Sequence, residues 1–148
     1  MGERKRALVT GLTGFVGRHL RALLESEGWA VQGTCFPERA EEAGCVVYLD
    51  LRCEADVLRA VRDARPDRVV HLAALSNVQH SWERRTETFE TNLMGTYHLL
   101  EAVRREAPGA RVLVVSSSDV YGIHGLRDAR LREDQPTQAV SSYAYTKI

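Results

Sequence analysis

The chain lacks the features that would mark it for a membrane, a disulfide scaffold or nucleic acid. Its three cysteines, Cys35, Cys45 and Cys53, are odd in number and show no C-x-x-C spacing. That argues against a disulfide framework and a zinc ribbon, and all three read as small core or near-core residues. No apolar run approaches the roughly 18 residues that cross a bilayer. The short run Ala7–Thr10 after the basic start is too brief for a signal peptide, so a cytoplasmic protein with no membrane partner is expected. Charge of one sign is also missing: 20 Lys and Arg balance 20 Asp and Glu. No net field draws the chain to nucleic acid. His80, His98 and His124 share no metal-ligand spacing, and no metal site is expected. Internal repeats and low-complexity stretches are absent. What is present, 44% apolar and 27% charged residues over 148 positions, fits one ordinary globular domain.

Short Val- and Leu-rich runs alternate with helical patterns, the signature of βαβ units and a parallel sheet. The strands are expected at Ala7–Thr10, Ala30–Phe36, Cys45–Leu49, Arg68–Ala73 and Arg111–Ser116. A helix over Phe15–Glu27 places Phe15, Val16, His19, Leu20 and Leu23 on one face and stops at Gly28. Glu54–Ala64 forms a second, closed by Pro66. A long third helix runs from Trp82 to about Ala107, with Ser81 as N-cap and Phe89, Leu93, Leu100 and Val103 at core spacing. The polar stretch Ile123–Gln138 is long for a connection in a compact domain and reads as a functional rim.

Two constellations carry chemistry. Thr10-Gly11-Leu12-Thr13-Gly14-Phe15-Val16-Gly17 follows the first strand and opens the first helix. Glycines three apart permit a tight turn, close approach of a pyrophosphate to the helix N-terminus, and close helix–strand packing. At the other end, Tyr143 and Lys147 lie one helical turn apart, where a cation favours the phenolate form of a tyrosine. Such a pair suits proton transfer, since an unassisted tyrosine is a poor base at neutral pH.

The glycine loop, with further motifs in order, resembles the extended short-chain dehydrogenase/reductases, the NAD-dependent epimerase/dehydratase family. Asp50-Leu51 resembles the acidic-apolar pair that contacts adenine. Leu72, Ala73 and Ala74, within His71-Leu72-Ala73-Ala74, resemble the fourth-strand motif lining the cofactor. Asn92, in Asn92-Leu93-Met94-Gly95-Thr96, resembles the helix Asn that helps position the cofactor side of the site. Ser116 to Gly122 resembles the segment bearing the catalytic Ser or Thr, which falls on Ser117, and Tyr143-x-x-x-Lys147 completes the set. Other readings stay open: Asp50 as a helix N-cap, His71 as a satisfied core histidine, Asn92 facing solvent, and the serine triplet as a strand end.

The resemblance implies a Rossmann-like, doubly wound parallel sheet ordered 3-2-1-4-5 with helices on both faces. Its implied activity is hydride transfer at a sugar carbon with NADP or NAD. Gly11, Thr13, Gly14, Phe15, Val16, Gly17, Asp50, Leu51, Leu72, Ala73, Ala74, Asn92, Tyr143 and Lys147 would bind the cofactor. Ser117, Tyr143 and Lys147 would be catalytic, with Asp119 where the dehydratases carry a Glu. The sequence around Trp82 and Asn92 is most similar to the GDP-6-deoxy-4-keto-mannose reductase and GDP-mannose 4,6-dehydratase branch. A reductase is favoured over a dehydratase or 4-epimerase, because Ser117 and the shorter acid Asp119 depart from the dehydratase pattern. A non-catalytic NAD(P)-binding module is the alternative. Cys35-Phe36-Pro37 at the second strand's end offers no acid against a 2′-phosphate, and Arg39 stands near, which leans toward NADP. The implied partners are a nucleotide-diphospho-sugar and a second subunit paired through Trp82–Ala107. Family members are about twice as long, so residues 1–148 are expected to be an incomplete Rossmann domain lacking the C-terminal substrate domain, with an apolar edge at the fifth strand.

Overall fold

The computed structural model describes residues 4–36, 46–122 and 130–148. Five parallel strands form one sheet in the order β3-β2-β1-β4-β5. They are β1 (Arg6–Thr10), β2 (Ala30–Cys35), β3 (Val46–Tyr48), β4 (Arg68–His71) and β5 (Arg111–Val114). The register aligns Thr10 with Thr34 on one side and with His71 on the other, so the strands end level. β1 ends with its apolar run at Thr10, whereas β2, β3, β4 and β5 stop one or two residues short of theirs, because the ladder ends where the chain turns out toward its next element.

Helix α1 (Phe15–Ser26) joins β1 to β2, α2 (Glu54–Ala64) joins β3 to β4, and α5 (Gly95–Glu106) leads into β5. Right-handed crossovers that step in opposite directions along a sheet place their helices on opposite faces. The step from β1 to β2 runs one way; those from β3 to β4 and from β4 to β5 run the other. Accordingly α2 and α5 share a face, and one core joins Leu8 and Val69 of the sheet to Val57 and Val61 of α2 and Leu99 and Val103 of α5. Helix α2 carries Glu54 and Asp56 in its first turn and Arg62 in its last, matching the helix dipole. It ends at Arg65, whose φ of 43° is left-handed, just before Pro66.

The described residues divide into two compact units, one of residues 1–73 and 94–114 and the other of 74–93 and 115–148. The sheet with α1, α2 and α5 is the first. The second holds α3 (Val78–Glu83), α4 (Arg85–Thr88), a 3-10 turn (Ser118–Tyr121) and α6 (Ser142–Tyr145).

Several expectations need correction. The helix over Trp82–Ala107 is interrupted: α3 ends at Glu83, and α4 passes through a π-helical segment, Phe89–Met94, before α5 begins. Asn77, not Ser81, is the first N-cap, its side chain accepting the His80 N–H at 3.0 Å. Phe15, Val16 and Leu23 do not face the core; they are 75%, 57% and 56% exposed. The inward stripe of α1 runs through Gly17, Leu20, Arg21 and Leu24 instead, because Gly17 is the point of closest approach to the loop below it. Cys35 is buried but Cys53 is exposed. Arg39, Cys45 and His124 lie outside the described residues, as does 123–129 of the expected rim.

Candidate active site

The glycine loop belongs to the first unit. Gly11 has φ of 72°, and a Cβ there would come within 2.9 Å of the Ala73 nitrogen. A Cβ on Gly17 would meet the carbonyl oxygens of Gly11 and Leu12 at 2.5 Å. Only glycine fits either position. The loop closes with the Gly14 N–H donating to the Gly11 carbonyl at 3.0 Å, and Leu12 N–H ties it to the Thr34 carbonyl at 3.0 Å. Helix α1 then starts with no side-chain cap and no acid in its first turn. Its first N–H groups and positive dipole end are thus directed at the loop, as an anion requires.

Around this loop, polar groups are fixed from within. The Thr10 hydroxyl accepts the Ala73 N–H at 3.2 Å and lies 2.6 Å from His71 Nδ1. His71 Nε2 lies 2.9 Å from the Thr96 hydroxyl. His71 is 1% exposed, so it is a satisfied core histidine that holds β4 in place. Leu51 is buried, and its carbonyl lies 2.9 Å from His98 Nδ1. Asp50 does not cap α2: that N-cap is Cys53, without a side-chain bond. Arg52 engages the Asp50 carboxylate instead, and its hydrogen bonds hold that carboxyl below the usual carboxylate range.

The proton-transfer residues belong to the second unit. Ser141 caps α6 by accepting the Ala144 N–H at 3.0 Å. Tyr143 N–H, another of the four orphan donors of that first turn, goes to the Ser81 hydroxyl at 3.2 Å. Ser81 in turn donates to the Val78 carbonyl at 2.6 Å. The Tyr143 carbonyl accepts from the Thr146 hydroxyl at 2.7 Å, and Thr146 accepts from Asn92 Nδ2 at 3.0 Å. Asn92 is 1% exposed rather than facing solvent. Both ends of its amide also clasp the Leu75 backbone, at 2.8 Å and 3.1 Å. The π-helical turn that carries Asn92 is an irregularity of the kind that aims one side chain at a site.

Lys147 stands with its Nζ 6.0 Å from the centre of the Tyr143 ring and donates to the Val115 carbonyl at 3.0 Å. Burial pushes its ammonium below the ordinary lysine value. Ser116 donates to the Lys147 carbonyl at 2.7 Å, tying the segment after β5 to the end of α6. The Ser117 hydroxyl accepts the Asp119 N–H at 3.2 Å and starts the 3-10 turn. Beside this group, a cavity of about 190 Å³ is walled by Ser76, Asn77, His80, Ser81, Arg84 and Thr88.

The second unit thus brings Asn92, Tyr143 and Lys147 into one hydrogen-bonded framework, with Ser117 and Asp119 on the adjoining 3-10 turn. The glycines, Asp50, Leu51, Leu72 and Ala73 belong to the first. The sequence marks Ser81 only as an N-cap and does not mark Thr146, since a threonine inside Tyr-x-x-x-Lys carries no signal of its own. Among the described residues, no three His, Cys, Asp or Glu side chains are grouped to hold a metal, and no helix is long and apolar enough to cross a membrane.

Sheet order and glycine loop define a Rossmann-like dinucleotide-binding fold. Comparison with known proteins carries this further: the family model described as GDP-mannose 4,6 dehydratase matches residues 8–148. The chain belongs to that family. It is 31% identical to GDP-mannose 4,6-dehydratase of Yersinia enterocolitica, over 97% of this chain and 43% of that protein. It is 33% identical to GDP-6-deoxy-D-mannose reductase of Pseudomonas aeruginosa, over 97% and 44%. Among solved structures, UDP-glucose 4-epimerase of Thermus thermophilus, in complex with NAD, superposes with a TM-score of 0.80 at 33% identity, covering 96% of this chain and 47% of the epimerase. The chain therefore spans less than half the length of these relatives.

Proposed function

We propose that this chain is the cofactor-binding half of an NAD(P)-dependent nucleotide-sugar enzyme, a GDP-4-keto-6-deoxymannose reductase that is inactive as this half alone. The observation that carries the reading is the Tyr143–Lys147 pair, an ammonium 6.0 Å from a phenol ring on a helix end fixed by Ser81 and Asn92. A sensor or scaffold has no use for such a pair. Membership of a family of dehydratases and reductases, and an epimerase of similar fold that binds NAD, support the cofactor.

The loop fits a dinucleotide: at Gly11 and Gly17 a Cβ would collide with backbone, and the bare start of α1 suits a pyrophosphate. When bound, a nicotinamide dinucleotide supplies the hydride. Gly11, Thr13, Gly14, Phe15, Val16 and Gly17 would form the loop that holds it, Asp50 and Leu51 would contact its adenine, and Leu72, Ala73 and Ala74 would line its site. Asn92 fixes the Leu75 backbone and the Thr146 hydroxyl. Tyr143 donates the phenolic proton to the sugar oxygen as the carbonyl becomes an alcohol. Lys147 holds the nicotinamide ribose hydroxyls and stabilises the phenolate left behind. Ser117 donates a hydrogen bond to the same sugar oxygen.

Asp119 supports a second reading, a dehydratase, because by the family resemblance it stands where the dehydratases carry the Glu that takes a proton beside the new ketone. The relatives' greater length supports a separate sugar-gripping domain encoded beyond these residues. Exposed Met94, at the end of the π-helical segment, and Tyr97 and Leu100 on α5 support a homodimer. Incubating the full-length gene product with NADPH and a panel of GDP- and dTDP-linked 4-keto sugars tests the reductase reading. Loss of nicotinamide absorbance with the GDP-linked ketone is expected; none with any ketone would overturn it.

A further inference from the structure

Beside the glycine loop, in the first unit, runs a buried chain of polar groups to which none of the chemical roles above gives a task. Thr10 is 0% exposed and His71 is 1%. The His71 ring joins two hydroxyls, that of Thr10 at 2.6 Å from Nδ1 and that of Thr96 at 2.9 Å from Nε2. Thr10 also holds the chain leaving β4: its carbonyl accepts the Leu72 N–H at 3.2 Å, and its hydroxyl accepts the Ala73 N–H at 3.2 Å. Gly11, the next residue, rests on the same backbone, where a Cβ would come within 2.9 Å of the Ala73 nitrogen.

The direction of each bond follows from the protons available. A threonine hydroxyl carries one proton, and a neutral imidazole carries one on either of its nitrogens. Ala73 N–H takes a lone pair of the Thr10 oxygen and offers that hydroxyl no acceptor. Among the described residues, His71 Nδ1 is the acceptor that the Thr10 proton reaches. Thr10 therefore donates to Nδ1, and the ring carries its proton on Nε2 and donates it to the Thr96 hydroxyl. The opposite tautomer would aim two N–H groups at the Thr10 oxygen and leave the buried hydroxyl proton without a partner, a costly arrangement. The ring thus turns a lone pair of Thr10 toward Ala73, on whose backbone the glycine loop is seated.

We propose that His71, as the neutral tautomer protonated at Nε2, is a positioning residue for dinucleotide binding: it orients the Thr10 hydroxyl, which holds Ala73 against Gly11. This rests on the reading of the chain as part of a nicotinamide-dinucleotide enzyme.

Two measurements on the full-length protein test it. Imidazole nitrogen NMR of the wild type reads the tautomer, with His71→Asn identifying the resonance. A neutral ring protonated at Nε2 is expected, and a proton on Nδ1 would overturn the proposal. Calorimetric titration with NADPH and NADH then reads binding by the folded protein. In His71→Asn the amide oxygen takes the place of Nδ1 and still accepts from Thr10; His71→Leu has no acceptor. Affinity for both dinucleotides should stay within about twofold of wild type in His71→Asn and fall about fivefold or more in His71→Leu, the worth of one hydrogen bond. Thr10→Ser should bind as wild type does and Thr10→Val as His71→Leu does, a pair that keeps the test open if His71→Leu does not fold. Wild-type affinity in every folded variant, or equal loss in His71→Asn and His71→Leu, would reduce the ring to core filling and overturn the proposal while the enzyme reading stands. Failure of wild type to bind either dinucleotide would overturn both.

Discussion

The Tyr143 backbone N–H is held by the Ser81 hydroxyl at 3.2 Å, across 62 residues of sequence. A four-residue helix such as α6 has little stability of its own. Its orientation comes from groups outside it, and Ser81 is 1% exposed. Ser81→Ala would leave a buried donor unpaired. A loss of about 1–2 kcal/mol in denaturant unfolding is expected, with kcat falling while KM for NADPH is kept. Ser81→Thr, which retains the hydroxyl, should restore much of kcat.

Asn92 supports the same helix from the other side. Its amide serves Leu75 N–H, the Leu75 carbonyl and the Thr146 hydroxyl at once. Asn92→Ala should cost about 3 kcal/mol, since several buried groups lose their partners together. Thermal or urea unfolding would check this; a loss under about 0.5 kcal/mol would mean that water replaces the amide.

The sequence displayed this architecture more openly than its details. The strands follow from runs such as Ala7–Thr10, and their order from the family resemblance; of Phe89, Leu93, Leu100 and Val103, which stand at core spacing, only Val103 is buried. Periodicity failed where a tertiary contact outranked it. Phe15 and Leu23 suggested an inward face, but the tight approach at Gly17 turned a different stripe to the sheet. The interruption at Phe89–Met94 was hidden because a π-helical turn has no compositional mark. The reach of Arg52 toward Phe36 has no sequence mark, because it depends on which two strands end side by side.

Gly11 joins a left-handed φ to backbone contact with Ala73. Gly11→Ala should therefore destabilise by about 2–4 kcal/mol, through strain and displacement of β4's end. Dinucleotide affinity should drop in the same variant, measured by titration on whatever fraction remains folded.

Lys147 makes stability depend on alkaline pH in a defined sense. Its folded-state value is depressed by burial, so the unfolded chain binds the extra proton between that value and the ordinary lysine value of about 10.4. Stability contributed by this group therefore rises with pH through the window and is least below it. Urea unfolding across that range should show the rise in wild type relative to Lys147→Met; identical pH profiles would show that Lys147 is not desolvated.

Tyr143 as the proton donor is tested most directly by rapid mixing of full-length protein, NADPH and GDP-4-keto-6-deoxymannose, following nicotinamide absorbance in wild type and Tyr143→Phe. Wild type should oxidise NADPH, and Tyr143→Phe should do so at least about 100-fold more slowly with NADPH affinity retained. Turnover of Tyr143→Phe at the wild-type rate would contradict the assignment.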